Sequence, residues 1–203
     1  MKKFALIVIV SALAAPAMAE GFYVLGSVGQ SHVDWDTSYL DNSLAQYGVH
    51  ASKNDTDTAY KLQLGYQLNR YFAIEGGYVD LGKASYSITG TGSQGSLEYK
   101  ASGVNAVAVG ILPLNDQFSV FGKVGGIVAR VEGSGATSGS GVRIWSNNPS
   151  STDLKGTWGV GVNWDVTRNV AVRAEFEQFH QLGSSNTGEA DVNLASMGVA
   201  YKF

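Results

Sequence analysis

From Gly21 onward, apolar residues alternate with small or polar ones, in runs of roughly ten residues separated by polar links. A period of two marks a strand with two unlike faces. In the first run Phe22, Val24, Gly26 and Val28 share one side, and Tyr23, Leu25, Ser27 and Gly29 share the other. The second run sets Tyr60, Leu62, Leu64, Tyr66 and Leu68 against Lys61, Gln63, Gly65 and Gln67. The third sets Phe72, Ile74, Gly76 and Tyr78 against Ala73, Glu75 and Gly77. In the fourth, Leu97, Tyr99, Ala101, Val107, Val109 and Ile111 form the apolar side, with Glu98, Lys100, Ser102, Ala106, Ala108 and Gly110 opposite. The fifth opposes Phe118, Val120, Val124 and Val128 to Ser119, Lys123 and Gly125. The sixth opposes Trp158, Val160, Val162 and Trp164 to Thr157, Gly159, Gly161 and Asn163. The last two runs place Val170, Val172, Ala174 and Phe176 against Arg173, Glu175 and Glu177, then Ala195, Met197, Val199, Tyr201 and Phe203 against Ser196, Gly198, Ala200 and Lys202.

The pattern predicts an all-β protein of eight strands. The apolar side is the continuous one, while the other is small or polar and carries charge at mid-strand. A soluble barrel keeps its apolar side within. The reverse arrangement belongs to an eight-stranded antiparallel up-and-down transmembrane β-barrel with a polar interior. Aromatic residues near strand ends suit its interfacial girdles. The alternative is a secreted β-sandwich. Link lengths favour the barrel. Short turns at Asn69-Arg70, Pro113 to Asp116 and Thr167 to Asn169 alternate with longer links at 31–57, 83–95, 133–153 and 180–190. Short periplasmic turns and longer extracellular loops alternate in this way, which puts both termini of an eight-stranded barrel on the periplasmic side.

Residues 1–19 read as a cleaved signal peptide, leaving a barrel domain at 20–203. Lys2 and Lys3 precede the apolar stretch Phe4 to Ala15, and Ala17-Met18-Ala19 has the small-x-small form of a cleavage site. No soluble domain is expected after Phe203. The 203 residues include no Cys, which excludes disulfides, thiolate metal sites and a cysteine nucleophile. A net charge of −3 gives no basic field for nucleic acid.

Gly65-Tyr66-Gln67-Leu68-Asn69-Arg70-Tyr71 through Glu75-Gly76-Gly77-Tyr78, Val170 to Phe176, and Gly198-Val199-Ala200-Tyr201-Lys202-Phe203 resemble stretches of the OmpA-like transmembrane barrel family. With Gly21-Phe22-Tyr23-Val24, the resemblance runs through the mature chain at the level of strands, in the surface-antigen form that lacks a periplasmic domain. It implies a Gram-negative outer-membrane protein with lipid and lipopolysaccharide around it. It also implies that the assembly machinery reads a terminal signal at Val199, Tyr201 and Phe203. The family's inward ion-pair cluster carries over to Glu75, Lys123, Arg173 and Glu175. Asn163 stands where a carboxylate is usual, and the fourth strand offers only Ala and Gly where a lumen lysine is usual.

In so narrow a barrel side chains fill the lumen. Arg173 is placed to bridge Glu75 and Glu175 through its planar fork, with Lys123 or Lys61 neutralising the remaining carboxylate. The expected role is therefore structural and surface-exposed, serving envelope integrity, with adhesion through the loops. The alternative is a narrow passive channel for ions or small solutes, gated by these pairs. A remoter one is a lipid A-modifying enzyme built on His180, Ser184, Ser185 and Glu189, but no His-x-Ser spacing supports it and no enzyme activity is expected. Asp34-Trp35-Asp36 and Asp55-Thr56-Asp57 read as solvated loop charges, so neither a metal nor a cofactor is expected. Trp35, Tyr39, Tyr47 and Trp145 are too apolar for plain solvent and are the candidate contacts for the barrel rim or for a host or cell-surface ligand.

Overall fold

A computed structural model describes residues 21–34, 50–90, 93–139, 150–184 and 188–203. The signal segment 1–19 and the candidate contacts Trp35, Tyr39, Tyr47 and Trp145 lie outside these residues. Nine β-elements follow one another: β1 (Gly21–Asp34), β2 (His50–Asn54), β3 (Thr56–Asn69), β4 (Phe72–Gly90), β5 (Ser93–Pro113), β6 (Phe118–Gly139), β7 (Ser150–Asp165), β8 (Val170–Ser184) and β9 (Gly188–Lys202). All pairings are antiparallel. β1 pairs with both β3 and β9, and β4 pairs with both β3 and β5, so the sheet closes on itself. β2 adds no ninth stave. It resumes β3 beyond a break at Asp55 and pairs with the far half of β4, from His50 opposite Thr89 to Asn54 opposite Ser85. The barrel has eight staves, as the alternation predicts.

Side-chain oxygens organise the three short turns. Asn69 Oδ1 accepts the N–H groups of Tyr71 (2.8 Å) and Phe72 (3.0 Å), and Asn115 Oδ1 accepts those of Gln117 (2.9 Å) and Phe118 (2.8 Å). Thr167 Oγ1 does the same for Asn169 (3.2 Å) and Val170 (3.0 Å). Such bonds satisfy backbone donors that the ladder no longer serves. These turns share one end of the barrel with Gly21, which lies opposite Gln67, and with the end of β9, where Lys202 lies opposite Tyr23. At the other end the strands outrun the alternating runs. The link at 83–95 is almost all strand, since β4 reaches Gly90 and β5 begins at Ser93. The other long links are likewise shortened by strand, because pairing continues past the apolar band.

The barrel is inside out by the standards of a soluble protein. Leu64 is 54% exposed and Val124 65%, whereas Glu177 is 0% exposed. A wide outward apolar face with buried charge fits a lipid surround. β5 corrects the expectation for the fourth run. Val107 and Val109 are buried in the lumen, while Ala106, Ala108 and Gly110 face outward. The register is the reason. Val107 lies opposite Glu75 and Val109 opposite Lys123, and directly opposed residues share a face of the sheet.

Candidate functional site

Three layers fill the lumen. Nearest the turns is an apolar cluster of Tyr23, Leu25, Ala73, Val107, Val109, Phe121, Ala171 and Ala200, with Ile111 packed on it. Toward the far end is a second cluster of Ala59, Val79, Leu81, Ile127, Ala129, Phe179, Leu182, Val192 and Leu194. Between them lie three cations, Lys61, Lys123 and Arg173, three carboxylates, Glu75, Glu175 and Glu177, and the polar Gln63, Asn105 and Ser196, all buried. Among the described residues, buried charge is thus confined to the middle, although the uncharged Ser31 and Thr157 are buried as well. The narrow radius explains the rest, because side chains must fill the bore and apolar ones fill it without needing partners.

The charged layer splits into two groups. In the first, Glu75 Oε1 accepts the Tyr23 hydroxyl (2.5 Å) and an Arg173 Nη1–H (2.5 Å), and Arg173 Nε donates to Asn163 Oδ1 (2.8 Å). Asn163 Nδ2 in turn donates to Ser119 Oγ (3.4 Å). The Arg173 guanidinium lies 4.6 Å from the Phe121 ring centroid and 5.9 Å from that of Tyr23, so the turn-side aromatics form its floor. In the second group, Glu175 and Glu177 project inward two residues apart on β8. Lys61 Nζ contacts Glu175 Oε1 and Glu177 Oε2, while Lys123 Nζ lies 2.8 Å from Glu175 Oε2 and 2.7 Å from Glu177 Oε1. Two lysines from β3 and β6 therefore hold two carboxylates of β8 in a closed square. Ser196 Oγ adds a bond to Glu175 (3.4 Å), and Gln63 Nε2 donates to Asn105 Oδ1 (3.2 Å).

Glu75, Lys61, Lys123, Arg173, Glu175 and Asn163 all border the lumen; Arg173 meets Glu75 and the lysines neutralise a carboxylate as expected, but Arg173 does not bridge to Glu175. The fork of Arg173 takes Glu75 and Asn163, and Glu175 goes to the two lysines. Arg173 packs beside Tyr23 and Phe121, and from there its Nη1 meets Glu75 and its Nε meets Asn163. Glu177 belongs to the square as fully as Glu175; its inward parity was visible, but its long reach to two lysines was not. Tyr23 and Asn105 were missed because the reading of the faces followed charge. Tyr23 also explains a small residue: a Cβ on Gly65, its partner across β1 and β3, would lie 2.1 Å from the phenol ring.

At the far rim, His180 Nδ1 lies 3.0 Å from Asp191 and Glu189 pairs with Lys155 at 3.3 Å. Asp57 is engaged by the backbone N–H groups of Lys83 (2.7 Å) and Thr58 (2.8 Å). Val199, Tyr201 and Phe203 lie on the outward face at the turn end, with the last two rings packed edge to face at 5.2 Å.

Residues 17–203 match the model of a family described as the OmpA-like transmembrane domain. Outer membrane protein A of Klebsiella pneumoniae is 31% identical over 184 residues, 90% of this chain and 51% of that protein. The chain thus spans about half the length of the curated relatives it matches. Among solved structures, Neisserial surface protein A superposes with a TM-score of 0.58 at 18% identity, covering 90% of this chain and 97% of the other. The N-terminal barrel domain of Pseudomonas aeruginosa OprF gives 0.51 at 12% identity, covering 92% and 100%. At such identities these two likenesses bear on the fold alone.

Proposed function

The chain belongs to the OmpA-like transmembrane domain family, and we propose that it acts as a plugged, non-catalytic scaffold of the bacterial outer membrane that presents its far-end links at the cell surface. It is an integral outer-membrane β-barrel with a structural or surface role; the plug, the contribution to envelope integrity and the surface contacts are the proposal. The observation that carries it is the layering of the lumen, three cations against three carboxylates between two apolar clusters. Charges fully matched inside a packed bore favour a rigid filling over a water path. In this reading the turn end faces the periplasm. Val199, Tyr201 and Phe203 are the segment offered to the assembly machinery, lipid and lipopolysaccharide surround the apolar face, and Trp35, Tyr39, Tyr47 and Trp145 are the contacts open to a surface ligand.

The test is a strain lacking the gene. It should take up a hydrophobic dye faster and tolerate detergent less, and a plasmid copy should reverse both. A copy with 35–49 and 140–149 replaced by Gly/Ser linkers should restore the envelope yet lose binding to host-cell surfaces. Unchanged dye uptake and detergent tolerance in the deletion strain would contradict the structural role.

A further inference from the structure

The inward parity of the lumen residues changes at two places, with the same result at each. On β4, Ala73, Glu75, Val79 and Leu81 point inward, but beyond them Ala84 is buried and Lys83 faces out to Glu98. On β8, Arg173, Glu175, Glu177 and Phe179 point inward and Leu182 follows, while His180 and Gln181 are both exposed. Each switch is a β-bulge. The register shifts between Asp80 and Lys83 against β5, and between Phe179 and Leu182 against β9. Gly82 takes φ 75° and Gln181 φ 48°. Unbroken alternation would turn Lys83 and Gln181 into the lumen and Ala84 and Leu182 outward. Both bulges expel a polar side chain and seat an apolar one.

β4 and β8 lie four staves apart in the closed ring, so the bulges face each other across the bore. Leu81 and Leu182 meet there in one apolar cluster. Carboxylates pin both bulges by taking backbone donors that the bulge removes from the ladder. Asp80 Oδ1 accepts Gly82 N–H (2.9 Å), Asp57 Oδ2 accepts Lys83 N–H (2.7 Å) and Asp191 Oδ1 accepts Gln181 N–H (2.8 Å). Ser31 Oγ donates to the Leu81 carbonyl at 2.6 Å. Gln181 keeps a backbone conformation that non-glycine residues rarely adopt, which such a bond helps to sustain.

We propose that the opposed bulges form a matched seal that closes the surface side of the lumen and keeps solution off the charged layer. The inference rests on the reading of the barrel as a plugged scaffold and names the residues that keep the plug shut. Because the protein contains no Cys, Ser196→Cys places a single thiol in the charged layer, and Ser27→Cys supplies a second reporter. The probe is a small, membrane-impermeant methanethiosulfonate added outside intact cells. Both reporters should label slowly. Leu81→Ala or Leu182→Ala should speed labelling by about tenfold or more, since labelling follows the local opening equilibrium. Asp191→Ala, which unpins a bulge without removing a lumen side chain, should speed it too, whereas Val109→Ala in the turn-side layer should not. Fast labelling with both leucines intact, or rates unmoved by all three bulge variants, would overturn the seal. Conductance of the reporter protein separates the two readings. A fast-labelling but silent barrel loses the seal and keeps the plug, whereas a conducting one loses both.

Discussion

Arg173 meets three demands at once: it neutralises Glu75, it satisfies Asn163, and its guanidinium packs against Phe121 and Tyr23. Removing the cation from such a site leaves an uncompensated buried carboxylate, at a cost of about 3–5 kcal/mol. Arg173→Met should therefore lower the unfolding free energy of the refolded protein, read from urea titration, by that order. Adding Glu75→Gln should recover a large part of the loss. A double variant no more stable than the single one would show that the pair is not the source. Lys61→Met should cost less than Arg173→Met, because Lys123 reaches both carboxylates of the square and remains in place. At this scale the sequence showed that Glu75, Arg173 and Glu175 face inward, since each stands opposite apolar neighbours in an alternating run. It misplaced Glu98 and Lys100, whose side chains are half-exposed. It showed the Arg173–Glu75 pair but not the Lys61–Lys123–Glu175–Glu177 square, because partners across the bore lie on strands distant in sequence and depend on side-chain reach.

The strands carry a different lesson. Alternation separates two faces clearly where one is apolar and the other polar, as in β3. It does not say which face is inside where both are apolar, and Ala106 and Ala108 against Val107 and Val109 on β5 is such a case. Size then decides, since the valines fill a bore layer beside Phe121 while alanine is acceptable against lipid. Val107→Asp should accordingly place an unpaired charge in the turn-side layer and lose the heat-modifiable folded band. Ala108→Leu should keep that band with an unfolding free energy changed by no more than about 0.5 kcal/mol, as at a site free of packing constraints. Equal behaviour of the two variants would return β5 to its opposite orientation. Gly65 offers a second check on strand packing. A valine there would meet the Tyr23 ring and displace it from Glu75, at about 1–3 kcal/mol, whereas adding Tyr23→Phe to Gly65→Val should cost little further. The bulges of β4 and β8 were not legible at all, because a period-two pattern registers only unbroken alternation.

For the whole molecule, strand number, closure and, β5 apart, the lipid-facing surface were legible, since all three follow from the period, the link lengths and the side on which charge falls. The layered lumen was not, because it arises from strands meeting around the bore. Assembly and stability should also separate at this scale. Phe203 packs on Tyr201 on the outward face and reaches no lumen group in the charged layer. Deleting it should lower outer-membrane levels several-fold, while refolding in detergent yields the same unfolding free energy to within about 0.5 kcal/mol. Unchanged levels in cells would show that the terminal aromatic is not read. The envelope role, the seal and the pair energetics all depend on this barrel being filled. The most direct test is conductance across a planar bilayer containing the refolded protein, with folding verified by heat-modifiable gel mobility and Arg173→Ala measured alongside. The layered lumen predicts a silent membrane for the parent protein; discrete current steps whose size changes in Arg173→Ala would contradict it and make the ion pairs a gate.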